Sequence, residues 1–270
     1  MPDTAGDTLL GIDVGSTRIK AALVDAAGLE QRVAVGPTPF APGPEGVEMG
    51  VDELLAAVAR VVAELGDERR AAAVGVTGMG ECGAPLDAAG RPLGPVIAWF
   101  DPRGEEVVER LAGAYGDGLA VRTGRRLRAV SSVAKLGWWV GRSGRAPEGW
   151  LGVPELCVHA LGGAAVTDPS LASRTGWYDV GARAYLPEVA EAIGVPVEAL
   201  PAVVPAGSVA GRVGAAAAAR WGLAEGIPVT PAGHDHLAAA AGCGAEPADL
   251  VDSVGTAESL VRRLPVDGEI

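Results

Sequence analysis

Two short segments near opposite ends of the chain pair an aspartate with small and hydroxyl-bearing residues in a way that suits phosphate chemistry. In Gly11-Ile12-Asp13-Val14-Gly15-Ser16-Thr17-Arg18-Ile19-Lys20, an apolar strand delivers Asp13 to a turn of Gly15, Ser16 and Thr17, and a second strand leaves. Such a turn can point backbone N–H groups and hydroxyls at a phosphate while the carboxylate holds a metal ion or its water. It is not a P-loop, because GxxxxGK[ST] is absent and a strand follows. Asp252-Ser253-Val254-Gly255-Thr256-Ala257 repeats the theme, with Gly255 and Thr256 in the turn. Asp and Gly are also ordinary turn formers, so plain hairpins compete with phosphate clamps at both places.

A third segment, Pro231-Ala232-Gly233-His234-Asp235-His236, lies where an apolar strand ends and a helix of small residues begins. Open α/β sheets hold ligands at that edge. Helix N-terminal polarity and exposure are expected to keep Asp235 ionised, as a proton acceptor must be, with His234 beside it as a substrate contact. Phosphoryl transfer asks more for positioning than for deep deprotonation, so a carboxylate suffices as base. A simple N-cap is the competing role for Asp235.

Gly78-Met79-Gly80-Glu81-Cys82-Gly83 satisfies GxGxxG after an apolar strand, but Pro85 and the turn Asp87 to Gly90 follow where a dinucleotide fold needs a helix. Glu81, with Cys82 next to it, is then read as a substrate contact at a strand end. Asp101 followed by Pro102 has the form of an N-cap and first helical residue, for a helix through about Tyr115. Arg103 reads equally as a solvated helix charge or a pocket residue. Trp99 reads as core or as a ring stacked on a sugar.

These groups need a scaffold. Leu9 to Val35 reads as an antiparallel meander, Val51 to Leu65 as a helix with one apolar face, and Ala72 to Thr77 as a buried strand. Strand and helix alternate as in a layered α/β domain. From Gly141 to Pro205, Gly and Pro leave only short helices near Pro154 to Leu161 and Pro187 to Ile193. Order returns with an Ala-rich helix ending near Gly222, the strand Ile227 to Ala232, the helix Asp235 to Gly242 and a final pair of strands.

The 270 residues, 49% hydrophobic and 21% charged, can bury a substantial core. A net charge of -12 gives no general attraction to nucleic acid or anionic membrane, so any phosphate must be held locally. The cysteines Cys82, Cys157 and Cys243 lack zinc or dithiol spacing and read as reduced thiols. With no secretory signal and no apolar run near the roughly 20 residues a membrane helix needs, a cytoplasmic protein is expected.

Taken in order, GIDVGSTRIKAALVD, GVTGMGECGAPLD, GPVIAWFDPR, TDPSLASRTGWYDV and PAGHDHLAAAAGCG resemble the FGGY carbohydrate kinases, over nearly the whole chain. The resemblance implies a ribonuclease H-like, actin-like α/β fold, a mixed sheet flanked by helices, with ATP and a sugar or polyol meeting between two lobes. It implies Asp13 as the magnesium residue and Gly15, Ser16 and Thr17 as the first phosphate turn. Gly255 and Thr256 would start the second. Glu81, Asp101 and Arg103 become substrate-side residues, and Asp235 becomes the base. Gly80 departs from the glycerol kinase pattern, which has Arg there. Residues 1–246 are expected to form the N-terminal sugar-binding domain and 247–270 the start of a truncated nucleotide-binding domain. A homodimer is open to such a chain. Two further readings stand beside the kinase: a carbohydrate-binding or regulatory module derived from one, and a phosphatase or ATPase on the same fold.

Overall fold

The computed structural model describes residues 8–66, 71–255 and 257–262. Its centre is a six-stranded mixed sheet in the spatial order Gly211–Arg212, Pro228–His234, Ala73–Gly78, Thr8–Val14, Arg18–Asp25, Glu30–Pro37. The expected meander is present, with Thr8–Val14 antiparallel to Arg18–Asp25 and that strand antiparallel to Glu30–Pro37. Alternation in Thr8–Val14 buries Leu10, Ile12 and Val14 and leaves Asp13 on the other side.

The three middle strands carry the site. Ala73–Gly78 runs parallel to Thr8–Val14, with Val14 level with Gly78, and parallel to Pro228–His234, with His234 also level with Gly78. Their C-terminal ends therefore stop at one edge, although they lie far apart in sequence. Close approach demands glycine there: a Cβ on Gly78 would fall 2.6 Å from the Val14 carbonyl oxygen. The register shifts between Pro231 and His234, and Gly233 at that bulge has φ +87°.

Helix Val51–Ala63 packs its Leu54, Leu55, Val58, Val61 and Val62 face on the meander, and helix Val153–Ala160 lies against Ala73–Gly78 and Pro228–His234. A second apolar cluster joins helices Glu105–Tyr115, Ser132–Ser143 and Pro187–Ala192 around Trp139, Trp150 and Trp177. Both short helices expected in the Gly- and Pro-rich middle are present, Val153–Ala160 in the core of the central sheet and Pro187–Ala192 in this second one.

The GxGxxG segment has the expected non-nucleotide form. After Gly78 the chain turns and enters Gly83–Leu86, antiparallel to Gly149–Gly152. Gly83 is required by packing, since a Cβ there would meet the Leu151 carbonyl at 2.5 Å. One local expectation fails. The helix after Asp101 begins at Glu105 with Gly104 as its N-cap, so Asp101 caps nothing. Its side chain is committed instead to an ion pair with Arg103 and to the distant Val47 N–H. Among the described residues, no helix is long and apolar enough to cross a membrane.

Candidate active site

The level strand ends open into a cleft of about 610 Å³. Asp13 lines it from the first strand, Glu81 from the turn after Gly78, and His234 and Asp235 from the strand-to-helix junction. Gly15, Ser16, Thr17, Trp99 and Gly255 also line it. Thr256 lies outside the described residues.

Asp235 is the first residue of helix Asp235–Gly242, and His234 occupies the N-cap position without a capping side-chain bond. Asp235 Oδ1 accepts the His236 backbone N–H at 2.7 Å and lies 3.3 Å from His234 Nδ1. Oδ2 has no partner among the described residues. The expected exposure of Asp235 is corrected by the structure: the residue is half-buried, and burial pushes its carboxyl above the usual range. His236, by its charge and its N–H, pulls the other way, while Asp13 and Glu81 push upward. A raised pKa makes the carboxylate a better proton acceptor.

His234 is buried, and burial, aided by Arg174, His236 and Arg125, pulls its imidazole down to about 3. It is a neutral hydrogen-bonding group. His236 is tied to the 250–262 hairpin through Nδ1 and Ser253 Oγ at 2.8 Å.

Glu81 adopts the left-handed region, with φ 65°, which is uncommon for a residue with a side chain and recurs at functional sites. Ser132 Oγ donates to its carbonyl at 3.1 Å. Its Oε1 accepts Arg125 Nη1 at 3.0 Å and Arg174 Nε at 2.8 Å. Sequence reasoning missed both arginines, together with Arg128 and His236, which line the same cleft. The run Arg125-Arg126-Leu127-Arg128 was the available signal for two of them.

At the first turn, the Gly15 N–H donates to the Arg18 carbonyl at 3.1 Å, closing the turn rather than facing outward. The Ser16 N–H has no partner among the described residues. The Gly255 N–H is likewise taken, by the Ala257 carbonyl at 2.9 Å. Asp13 Oδ2 pairs with Lys20 Nζ at 2.9 Å, while Oδ1 is buried with no partner. That orphaned oxygen fits a magnesium ion or its water. No group of three or more metal-ligating side chains exists among the described residues, and magnesium is commonly held by one carboxylate, waters and substrate phosphates.

Cys82, Asp101 and Arg103 are placed elsewhere. The Cys82 thiol is buried and accepts the Trp99 N–H at 3.0 Å, and burial with the Glu81 charge drives its pKa far up. Asp101 accepts the Val47 N–H at 2.7 Å and Arg103 Nε at 2.8 Å, and Arg103 also binds Glu48 Oε2 at 2.8 Å. Burial works against the charged Asp101, but the bonds from Arg103 and Val47 outweigh it and hold the carboxyl below the usual range. Beneath them the buried Lys135 ammonium donates to the carbonyls of Asp101 and Arg103, and burial draws its pKa down to about 8. These residues brace the cleft wall, since none of the three side chains lines the cleft.

A mixed sheet flanked by helices, whose parallel strand ends present Asp13 and Asp235 to one cleft, is the actin-like ATPase fold. The chain belongs to the FGGY family of carbohydrate kinases, whose N-terminal domain it matches over residues 8–242. It is 32% identical over 284 aligned residues to L-fuculokinase of Escherichia coli K12, covering 97% of this chain and 58% of that protein. Xylulose kinase of Streptomyces coelicolor is 31% identical over 99% of this chain and 57% of its own length. The crystal structure of xylulose kinase from Rhodospirillum rubrum superposes with a TM-score of 0.82 at 29% identity, covering 90% of this chain and 53% of that one. The chain thus spans little more than half the length of these relatives.

Proposed function

We propose that this chain is the sugar-binding lobe of a kinase that transfers the γ-phosphoryl group of magnesium ATP to a hydroxyl of a sugar or polyol. The observation that carries this reading is the placement of Asp235 beside Asp13 and Glu81 at three level strand ends, with its Oδ2 unpartnered. In the reaction, Asp235 Oδ2 takes the hydroxyl proton, the hydroxyl oxygen forms a bond to the γ-phosphorus, and the bridging P–O bond breaks with ADP leaving. Glu81, Trp99 and His234 contact the sugar; Asp13 Oδ1 would hold magnesium, which when bound would supply positive charge to the phosphate oxygens. Ser16 and Thr17 in the first turn are the proposed phosphate contacts. Residues 1–246 form the sugar-binding domain, and 247–270 begin the nucleotide-binding one.

ADP release with a panel of sugars, run on wild type and Asp235→Asn, tests this reading. Sugar-dependent release that disappears in Asp235→Asn supports it, and release unchanged in that variant overturns the assignment of the base.

A further inference from the structure

The cleft gathers several cationic side chains around Glu81, on the side read as the sugar's. The chain has a net charge of -12, yet its cleft presents Arg18, Lys20, Arg125, Arg128 and Arg174 against the carboxylates Asp13, Glu81 and Asp235. Lys20 is taken up by Asp13. Arg125 and Arg174 converge on a single oxygen, Glu81 Oε1, while the exposed Arg128 side chain has no partner among the described residues. Two guanidinium groups therefore share one carboxylate, with the charge of a third, Arg128, close enough to act on Arg125. Burial first, then the charge of Arg174, and also that of Arg128, hold Arg125 below the usual guanidinium range. Another anion would relieve that crowding.

Space for the arrangement comes from Gly80. A Cβ there would lie 2.9 Å from the His234 ring and 3.0 Å from Arg174 Cγ, so the stem of Arg174 occupies the volume a side chain at position 80 would fill.

Resting on the sugar-binding reading above, we propose that the carbohydrate accepted here carries a carboxylate, as in an aldonic or uronic acid, held by Arg128 and Arg174. A guanidinium fork matches a planar carboxylate with two parallel charge-assisted bonds. Asp13 and Asp235 repel the acid group, so the substrate is held one way round, with a hydroxyl toward Asp235. Glu81 keeps Arg125 and Arg174 in place.

The test is calorimetry at low salt on this chain with gluconate and glucuronate, their neutral counterparts sorbitol and glucose, and glucose 6-phosphate. An acid is expected to bind at least about tenfold more tightly than its neutral counterpart, and Arg128→Gln and Arg174→Gln are each expected to cut that preference by about tenfold. Melting curves report whether the variants remain folded; Arg128 is exposed, so its variant keeps the test available if Arg174→Gln fails to fold. A neutral sugar that binds as tightly as the acids overturns the carboxylate inference and leaves the carbohydrate reading standing. Tighter binding of the sugar phosphate, or an acid preference unchanged in the folded variants, overturns it as well. Absence of binding by every sugar removes both.

Discussion

The Oδ1 of Asp235 accepts the backbone N–H of His236 at 2.7 Å, which fixes the carboxylate by a bond one residue away. The oxygen left over, Oδ2, is the one with the freedom to receive a proton. Asp235→Asn keeps the shape and the Oδ1 bond but removes the basic oxygen. It is expected to lower sugar-dependent ADP release by about 10²- to 10⁴-fold while changing sugar affinity only severalfold. In wild type, because burial raises the carboxyl, the acid limb of the rate profile should lie above the ordinary aspartate value. ADP release measured from pH 4 to 8 reads both.

His234 makes stability depend on pH. Its folded pKa, about 3, lies below the unfolded value near 6.5, so between them the unfolded chain binds more protons. The sign follows: stability is unaffected by this group above about pH 6.5 and is lost as pH falls toward 3, with a slope of up to about 1.4 kcal/mol per pH unit. Urea melts at several pH values should show that slope, and His234→Gln should flatten it.

Asp101 and Arg103 give a way to separate bracing from binding. The Asp101 and Arg103 side chains are 2% and 8% exposed, and removing Asp101 leaves Arg103 with Glu48 and the Val47 carbonyl as its remaining partners. Asp101→Ala is expected to cost about 1 to 3 kcal/mol of stability. Sugar affinity, measured where the variant is still folded, should change less than threefold, because the side chain does not reach the cleft. A large affinity loss at full stability would return Asp101 to the substrate site.

The thiols should react unequally. Cys82 and Cys157 are buried, with burial pushing Cys157 up to about 12, whereas Cys243 is exposed. A folded sample treated with a disulfide reagent should release one equivalent quickly, and a denatured one three.

Much of the scaffold was legible because it repeats locally. The apolar alternation of Thr8–Val14, the helical face of Val51–Ala63 and the junction at Asp235 each leave a pattern within a few residues. Asp101 was misread because Asp followed by Pro fits a helix start, while its actual partner, the Val47 N–H, lies 54 residues away. The arginine wall was missed for a related reason. Arg174 and Arg125 meet Glu81 across 93 and 44 residues, and short helices in a Gly- and Pro-rich stretch give little period to follow. The exposure of Asp235 was misjudged since half-burial is a tertiary property that a helix start does not encode.

The bond from Thr77 Oγ1 to the Gly233 carbonyl joins residues 156 apart at 2.7 Å, and it sits beside the place where the cleft is made. Aligning the 228–234 strand with its neighbour closes most of the chain into one loop, and such long-range closures are slow. Nothing before that step can bring Asp235 to Asp13 and Glu81. Ligand capture during refolding should therefore appear late and in a single phase, after most helical signal has returned, so that a bound sugar times the docking of one strand.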